Sequence, residues 1–288
     1  MTNDSSDTSQ NVTGSSSVKP TSPKPLALSA SRAGDFNQCP LLYRFRAIDG
    51  LPEPTSIAQF RGTVVHAVLE NLFQLPREKR EPSAGIAMLP ELFEKLHAAE
   101  PEPVVEEKDK RSFLNDCAKL FYNYYRIENP LGFDPDSCEK FVQGTLDDAT
   151  PVRGFIDRID IAPTGEVRIV DYKTGKKPLP RYSQQAHLQM ELYSLLYWKV
   201  FGIKPDQMKL IYLKTINTME ASPSLDDLKR REEQLVALWN RIRACGKDGS
   251  FEPHTTKLCN WCAFQKFCPE YGGIPPEYPG WPGEVSSN

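Results

Sequence analysis

Three aspartates and a lysine lie in one short stretch of this 288-residue chain, between Gly154 and Gly175. The stretch contains two runs in which apolar and polar residues alternate, VRGFIDRIDIA and EVRIVDYKT, separated by Pro163-Thr164-Gly165. This pattern predicts two neighbouring strands joined by a three-residue hairpin loop that ends in glycine. Pairing the residues that flank the loop places Asp157 directly opposite Asp171.

The strand period of two decides which side chains share a face of this hairpin. Two core-facing carboxylates about 5 Å apart repel each other, and burying them without a partner costs several kcal/mol. A cation must therefore lie between the two aspartates. The residues predicted to face the core are Phe155, Asp157, Ile159 and Ile161 on the first strand and Val167, Ile169, Asp171 and Lys173 on the second.

The cation between the aspartates is either a metal ion or a lysine. A hard divalent cation such as Mg²⁺ takes carboxylate oxygens and water as ligands and is the better fit. The alternative is a salt-bridge network closed by Lys173 alone. On the opposite face, Asp160 is predicted to pair with Arg168 at the surface, so Asp160 is not counted as a ligand.

The pattern G-x-x-D-R-x-D, followed by D-Y-K-T-G, resembles the PD-(D/E)XK nuclease superfamily and, within it, the RecB-like exonuclease branch. The resemblance implies an α/β fold in which a mixed β-sheet nuclease core is flanked by helices, as in restriction endonucleases. It implies that Asp157 and Asp171 bind a catalytic Mg²⁺ or Mn²⁺. It further implies that Lys173 is the catalytic lysine and that the main-chain carbonyl of Tyr172 is an additional ligand.

A histidine upstream of the hairpin joins the site through the same resemblance. Residues 57–75 carry apolar residues at helical spacing and predict an amphipathic helix that contains His66 and Glu70. By itself, one histidine on an apolar helix is more often a core residue. The branch has the pattern G-x-x-x-H-x-x-x-E, which GTVVHAVLE matches, so His66 is implied to be a metal ligand. Glu139 lies where some relatives have an accessory acidic residue.

Residues that follow the hairpin are candidates for binding substrate. A long helix is predicted from about 183 to 201, and its Q-x-x-x-Y motif, Gln189 and Tyr193, is implied by the resemblance to help position the substrate. Without the family, this motif is a polar–aromatic packing pair. Lys176 and Lys177 form a local positive patch, for which a solvated charged loop is the alternative.

Three of the seven cysteines form the group Cys259-x2-Cys262-x5-Cys268. Closure of a metal site by thiolates requires a fourth ligand, and Cys39, which precedes Pro40, is the candidate. The spacing alone does not distinguish zinc from an iron–sulfur cluster. The other cysteines show no such spacing and are interpreted as buried or incidental thiols: Cys117, Cys138 and Cys245.

Iron–sulfur members of the RecB-like branch, of the AddB and CRISPR-adaptation types, have one cysteine well before the nuclease motifs and a C-x2-C-x5-C group after them. This chain is similar to them in that arrangement. The resemblance therefore implies a [4Fe–4S] cluster, with Zn²⁺ as the alternative. The cluster would clasp the N- and C-terminal segments together around the nuclease core.

The composition predicts one domain between two tails. Residues 1–26 are rich in Ser, Thr, Asn and Pro and predict a disordered tail, residues 27–272 a single nuclease domain, and residues 273–288 a flexible tail. Within the domain, residues 76–110 are interpreted as an insertion and residues 259–268 as the cysteine cluster. No apolar run approaches the roughly 20 residues that span a bilayer, and no secretory signal precedes the domain. We expect a cytoplasmic protein without membrane contact.

These features together predict a metal-dependent DNA nuclease. The net charge of −3 argues against a basic nucleic-acid coat protein but not against local positive charge. The resemblance implies a RecB-like exonuclease that hydrolyses the phosphodiester bonds of single-stranded DNA or duplex ends in repair or recombination. The chain has no G-x-x-x-x-G-K-[ST] motif, so a helicase would be a separate partner. The alternative is a non-catalytic iron–sulfur subunit that binds DNA ends and works with a helicase.

Overall fold

The computed structural model describes residues 25–102 and 104–283. Most of the predicted N-terminal tail, residues 1–24, lies outside the described residues. Within the described ranges, no helix combines the length and the apolarity that a bilayer span requires.

Five strands form a mixed sheet at the centre of the fold. They are β1 (Ser137–Thr145), β2 (Pro151–Ile161), β3 (Val167–Lys173), β4 (Gln207–Tyr212) and β5 (Asn217–Ala221). The strands are hydrogen-bonded in chain order, with β3 and β4 parallel and the other pairs antiparallel. The predicted α/β class with a mixed sheet is confirmed.

Helices flank this sheet. In the described residues they are α1 (Ala30–Gln38), α2 (Pro40–Tyr43), α3 (Ile57–Gln74), α4 (Pro82–His97), α5 (Glu107–Tyr124), α6 (Gln184–Phe201) and α7 (Leu225–Asp248). Ser29 caps α1 by accepting a hydrogen bond from the Arg32 amide at 3.3 Å. The predicted helices over 57–75 and about 183–201 are confirmed by α3 and α6.

Both faces of the sheet are covered, so the fold has two apolar cores. Strand β3 directs Ile169 into a first core with α1, α6 and α7, and Val170 into a second core with α3, α4 and α5. Helix α4 lies within residues 76–110, the predicted insertion. Its Phe93 ring lies 5.7 Å from the Phe60 ring of α3, centroid to centroid. These residues therefore complete the second core.

The C-terminal segment, residues 273–283, lies against the first core although the sequence predicts a flexible tail there. The Tyr278 hydroxyl donates to the Gly246 carbonyl at 2.7 Å, and the Trp281 and Trp239 rings lie 5.8 Å apart. Aromatic side chains between the prolines and glycines explain the difference, because they supply apolar area that a tail lacks.

The β2–β3 hairpin has the predicted register. The Ala162 amide donates to the Glu166 carbonyl at 2.9 Å, and Ile159 lies opposite Ile169. Gly165 adopts φ 99°, a left-handed conformation that a residue with a side chain rarely adopts. The local turn chemistry therefore fixes which residues of the two strands face each other.

The predicted core-facing row of β2 is buried only in its middle. Ile159 is 0% exposed and Asp157 8%, whereas Phe155 is 57% and Ile161 43% exposed. The prediction for Phe155 and Ile161 is wrong because the strand period assigns a face but does not state how far along the strand a helix covers it.

The predicted surface pairing of Asp160 with Arg168 is half correct. The two residues are paired across β2 and β3, and their ion pair is 2.9 Å long. Asp160 is only 9% exposed, however, because it also pairs with Arg158, which is 0% exposed, at 2.9 Å. Arg158 and Asp160 of β2 therefore lie in the second core as part of a buried ion network and do not face solvent.

Arg158 is the centre of this network. Its guanidinium donates to the Tyr172 hydroxyl at 2.6 Å and pairs with Glu128 at 2.7 Å. Lys209 pairs with Glu128 from β4 at 3.0 Å. Burial alone would raise the pKa of Glu128, but Arg158 and Lys209 outweigh burial and lower that pKa to about 2. The network therefore holds charged partners inside the second core and anchors Tyr172 of β3.

We expect Arg158→Met to destabilise the fold by about 3–5 kcal/mol, because the change leaves the carboxylates of Glu128 and Asp160 buried without their main cation. Chemical denaturation followed by circular dichroism measures the loss of unfolding free energy. Arg111→Met, on the exposed start of α5, is the matched control and should change stability by no more than about 0.5 kcal/mol. Equal stability of the two variants would contradict the structural role of the network.

Candidate active site

The hairpin brings Asp157 and Asp171 into one buried site. Their exposed fractions are 8% and 3%. The paired part of the β2–β3 ladder ends at Arg158 and Val170, and one residue further along each strand lie the two aspartates. The Tyr172 amide donates to Oδ2 of Asp157 at 2.7 Å, which ties the first carboxylate to the strand that carries the second.

Two side chains contact the carboxylate of Asp171, one through an ion pair and one through a hydrogen bond. Lys173 Nζ lies 2.7 Å from its Oδ2, and Gln189 Nε2 donates to its Oδ1 at 2.6 Å. Lys173 comes from the same strand two residues later, and Gln189 comes from α6, which packs across this end of the sheet. The structure therefore brings together the predicted lysine, the predicted glutamine and one predicted aspartate.

His66 of α3 reaches the site from the other side. Its Nε2 lies 2.9 Å from the carbonyl oxygen of Tyr172, and its Nδ1 lies 3.4 Å from Asp157 and 3.7 Å from Glu139. A capping box of Ser56 with its side-chain partner three residues later starts α3 and sets the helix phase that turns His66 inward. The imidazole and the Tyr172 carbonyl, both implied ligands, are thus in direct contact.

Three side chains have the spacing of metal ligands. One ligand atom each from His66, Glu139 and Asp157 lies within 4.8 Å of the others. Glu139 belongs to β1 and has φ 46°, an unusual conformation for a residue other than glycine. Carboxylate oxygens and an imidazole nitrogen suit Mn²⁺ well, and the two aspartates with the Tyr172 carbonyl supply the all-oxygen ligands that Mg²⁺ prefers.

The site carries unbalanced charge in the metal-free chain. Burial raises the pKa of Asp157, and the nearby carboxylate of Asp171 raises it further. Burial lowers the pKa of His66, but Asp157, Glu139 and Asp171 outweigh burial and raise it to about 9. The pocket therefore favours an additional positive charge, either on His66 or on a bound cation.

The structure places the remaining candidates differently. Tyr193 packs over Gly154, where an added Cβ would lie only 2.8 Å from the tyrosine ring, so this glycine provides the space for the tyrosine. Lys177 donates to the Thr218 carbonyl at 2.6 Å and thereby fastens the β3–α6 loop to β5. Lys176 is exposed. Tyr193 thus lies beside the site, whereas Lys177 has a structural contact.

The four cysteines proposed as one group lie around a common cavity. Cys39 separates α1 from α2, and its Sγ accepts a hydrogen bond from the His254 amide at 3.4 Å. Burial raises the pKa of Cys268, and the three neighbouring thiols raise it further. The fold therefore brings Cys39 to the C-terminal group across more than 200 residues of chain. The four residues are Cys39, Cys259, Cys262 and Cys268.

The other three cysteines lie elsewhere. Cys117 of α5 is 0% exposed in the second core, and burial raises the pKa values of Cys117 and Cys138 to about 12. Cys245 packs at the edge of the first core. Their positions agree with the interpretation of buried or incidental thiols.

Residues 27–269 match the family model of the PD-(D/E)XK nuclease superfamily. The chain belongs to this superfamily. The match covers the sheet, the helix with His66 and most of the described residues, so the Asp157, Asp171 and Lys173 cluster lies within the matched range.

Known proteins resemble the chain at low identity. It is 30% identical over 161 residues to one component of the ATP-dependent helicase/deoxyribonuclease of Streptococcus mutans, a match of 53% of the chain and 14% of that component. The chain thus corresponds to a small part of that relative. It is 22% identical over 291 residues to the Gene 69 protein of Mycobacterium phage L5, a match of 84% of the chain and 96% of that protein.

One solved structure shares the fold. A candidate exonuclease from Eubacterium rectale superposes with a TM-score of 0.55 at 13% sequence identity, covering 82% of this chain and 86% of that one. This likeness supports the nuclease fold of the PD-(D/E)XK chain.

Sequence reasoning gave too little weight to two residues. Glu139 was only a weak candidate, since a single acidic residue before a strand is common, yet its carboxylate lies in the site. Arg158 was noted only as part of the sequence motif, although its guanidinium donates a hydrogen bond to the Tyr172 hydroxyl. The arginine directly after the first aspartate was the available signal, because a cation in a buried strand requires partners.

The raised pKa values of Asp157 and His66 predict a pH effect on the metal-free chain. The folded chain retains these protons more tightly than the unfolded chain, so stability falls as the pH rises. The contribution of His66 is complete below a pH of about 6.5 and is lost as the pH passes about 9. Melting temperatures measured in a chelator should therefore decline across this range.

Asp157→Asn should flatten this decline, because it removes one titrating carboxyl and the charge that acts most strongly on His66. Asp109→Asn, on the exposed start of α5, is the control and should follow the wild type. Parallel curves for wild type and Asp157→Asn would show that these two groups do not govern the pH dependence.

Proposed function

We propose that this chain is a Mg²⁺- or Mn²⁺-dependent deoxyribonuclease of the RecB-like exonuclease branch. The observation that carries the proposal is the pair of buried aspartates, Asp157 and Asp171, together with the 2.7 Å ion pair between Lys173 and Asp171. A protein that had lost catalysis would gain nothing by retaining two like charges in a buried site.

The residues present fit a divalent cation. Asp157, Asp171, His66 and the Tyr172 carbonyl would hold the ion. Glu139 lies beside them, with a carboxylate oxygen within 4.8 Å of ligand atoms of His66 and Asp157. When bound, the ion supplies Lewis acidity that offsets phosphate charge and lowers the pKa of a coordinated water.

The chain's own side chains then complete the chemistry. Lys173 no longer has to neutralise Asp171 by itself, so its ammonium can donate to the attacking oxygen or to the charge that develops on the phosphate. Gln189 keeps Asp171 oriented through its 2.6 Å hydrogen bond. Tyr193, packed on Gly154, closes the α6 side of the site.

The helicase/deoxyribonuclease relatives support DNA as the substrate and a separate helicase as a partner, in repair or recombination. The match covers only 14% of the Streptococcus mutans relative. The separate helicase is therefore proposed for this chain from the relative's name. The alternative is a non-catalytic iron–sulfur subunit that binds DNA ends beside a helicase. The two functions differ in one measurable property, cleavage.

We expect the purified chain to degrade end-labelled single-stranded or duplex DNA when Mg²⁺ or Mn²⁺ is added. Asp171→Ala and Lys173→Ala should each lower the cleavage rate by about 10²–10³-fold, because each removes charge that acts on the reacting phosphate. Gel analysis of the products measures the rate.

The matched controls are Asp109→Ala and Lys108→Ala on the exposed start of α5, which should retain full activity. Equal rates for wild type and Asp171→Ala would show that the assigned site is not catalytic. Tight binding to DNA ends without cleavage in either metal would favour the end-binding alternative.

We propose in addition that the cysteine group holds a [4Fe–4S] cluster. The spacing of the cysteines alone leaves zinc open, and the resemblance to iron–sulfur members of the RecB-like branch favours the cluster. The four cysteines line one cavity, so they can share a single ligand. The cluster would join Cys39, behind α1, to the C-terminal segment.

Protein purified without oxygen should be brown and should contain iron and sulfide in the ratio of a [4Fe–4S] cluster. Cys262→Ser should lose the iron and lower the melting temperature, because the cluster links distant segments. Cys245→Ser, outside the group, should keep its iron. A colourless preparation loaded with zinc would show that the group is a zinc site.

A further inference from the structure

We propose that the groove between α1 and the β1–β2 strands binds one unpaired DNA strand, with Arg32 and Arg153 at its phosphates and Phe155 against a base. The inference rests on the proposed function in taking DNA as the substrate. It adds the strand form of the substrate and the residues that select it.

The groove begins at the catalytic residues. A cavity of about 660 Å³ is lined by Lys173 and Gln189 at one end and by Arg153 and Phe155 at the other. The first turn of α1, with Arg32, forms the opposite wall. A phosphodiester at Lys173 would therefore continue into this cavity.

Within the described residues, two arginines in the groove form no salt bridge with a carboxylate. Arg32 donates to the Ala27 carbonyl at 3.0 Å, and Arg153 has no carboxylate partner within residues 25–102 and 104–283. Both arginines line this cavity. Burial lowers the pKa of Arg32, and the like charge of Arg153 lowers it further. The nearby carboxylate of Asp35 is paired with Arg46 at 2.6 Å. Two adjacent guanidiniums of this kind suit a phosphate.

Two exposed aromatic rings line the same cavity. Phe141 and Phe155 lie opposite each other on β1 and β2, with ring centroids 5.0 Å apart. They are 48% and 57% exposed. A nucleic-acid base can stack on such a ring only when it is not stacked and paired within a duplex. The aromatic pair thus favours a single strand over a duplex.

The groove continues beyond the catalytic residues. A second cavity, of about 850 Å³, shares Ser31 and Gln185 with the first and is lined by Tyr182 and Arg181. Tyr182 is 65% exposed, and the Arg181 guanidinium lies 4.8 Å from the centre of its ring. The alternation of exposed rings and guanidiniums along a continuous path matches an extended polyanion with bases.

The test is DNA binding by the full chain in a chelator, where no cleavage occurs, measured by fluorescence anisotropy over a range of salt concentrations. The probes are a labelled thymidine oligonucleotide, an abasic oligonucleotide of equal length and a blunt duplex. The variants are Arg153→Gln and Phe155→Ala. Matched controls are Arg126→Gln and Tyr122→Ala, exposed residues at the end of α5 and outside the groove.

Arg153→Gln should weaken binding of both single-stranded probes and reduce the slope of log K against log salt by about 0.7, the value for one phosphate contact on a single strand. Phe155→Ala should keep that slope and weaken binding of the thymidine probe by about 10-fold or more. It should leave binding of the abasic probe unchanged. The control variants should bind as the wild type does, and all variants should keep its melting temperature.

Unchanged binding of the thymidine probe by both groove variants would overturn the proposal, even if the chain cleaves DNA. Equal losses on the duplex and the single strand would also overturn it, since the groove would then not select unpaired bases. Loss of self-association with Phe155→Ala, seen by sedimentation, together with unchanged DNA binding, would identify the aromatic pair as a contact between copies of the chain. A failure of the cleavage assay leaves the binding result interpretable, because no metal is present.

Discussion

Repulsion between two carboxylates buried on adjacent strands is the constraint on which this molecule depends. Asp157 and Asp171 cannot remain charged together unless positive groups surround them, and three separate elements supply such groups or fix their geometry. Strand β3 contributes Lys173, α6 contributes Gln189 and α3 contributes His66. The packing of the helices and the register of the hairpin therefore both serve to stabilise the two buried carboxylates.

Tyr172 connects the candidate site to the opposite face of the sheet. Its amide holds Asp157, its carbonyl accepts from His66, and its hydroxyl is held by Arg158 in the second core. A tyrosine between the second aspartate and the lysine thus uses its backbone for the site and its side chain for the scaffold. The site is rigid because the strand that carries it is fixed from both sides.

The sequence predicts what is local and loses accuracy where partners are distant. The hairpin register was predictable because Gly165 ends a short loop and the strand period is two. The surface interpretation of Asp160 was wrong because Glu128 and Lys209, which complete its network, lie far away in the chain. Cys39 was a candidate only because a thiolate site needs a fourth ligand, since no spacing rule connects residues so far apart; the family resemblance then supported that choice.

The buried network places a restriction on how the chain can vary. Arg158, Asp160 and Glu128 lie on the opposite face of the sheet from the candidate site, yet a change of charge at one of them leaves another unpaired in a low-dielectric interior. Substitutions at these positions are therefore tolerated only when a second residue of the network changes with the first. Such paired substitutions behind the sheet would leave the candidate site in front of it unchanged.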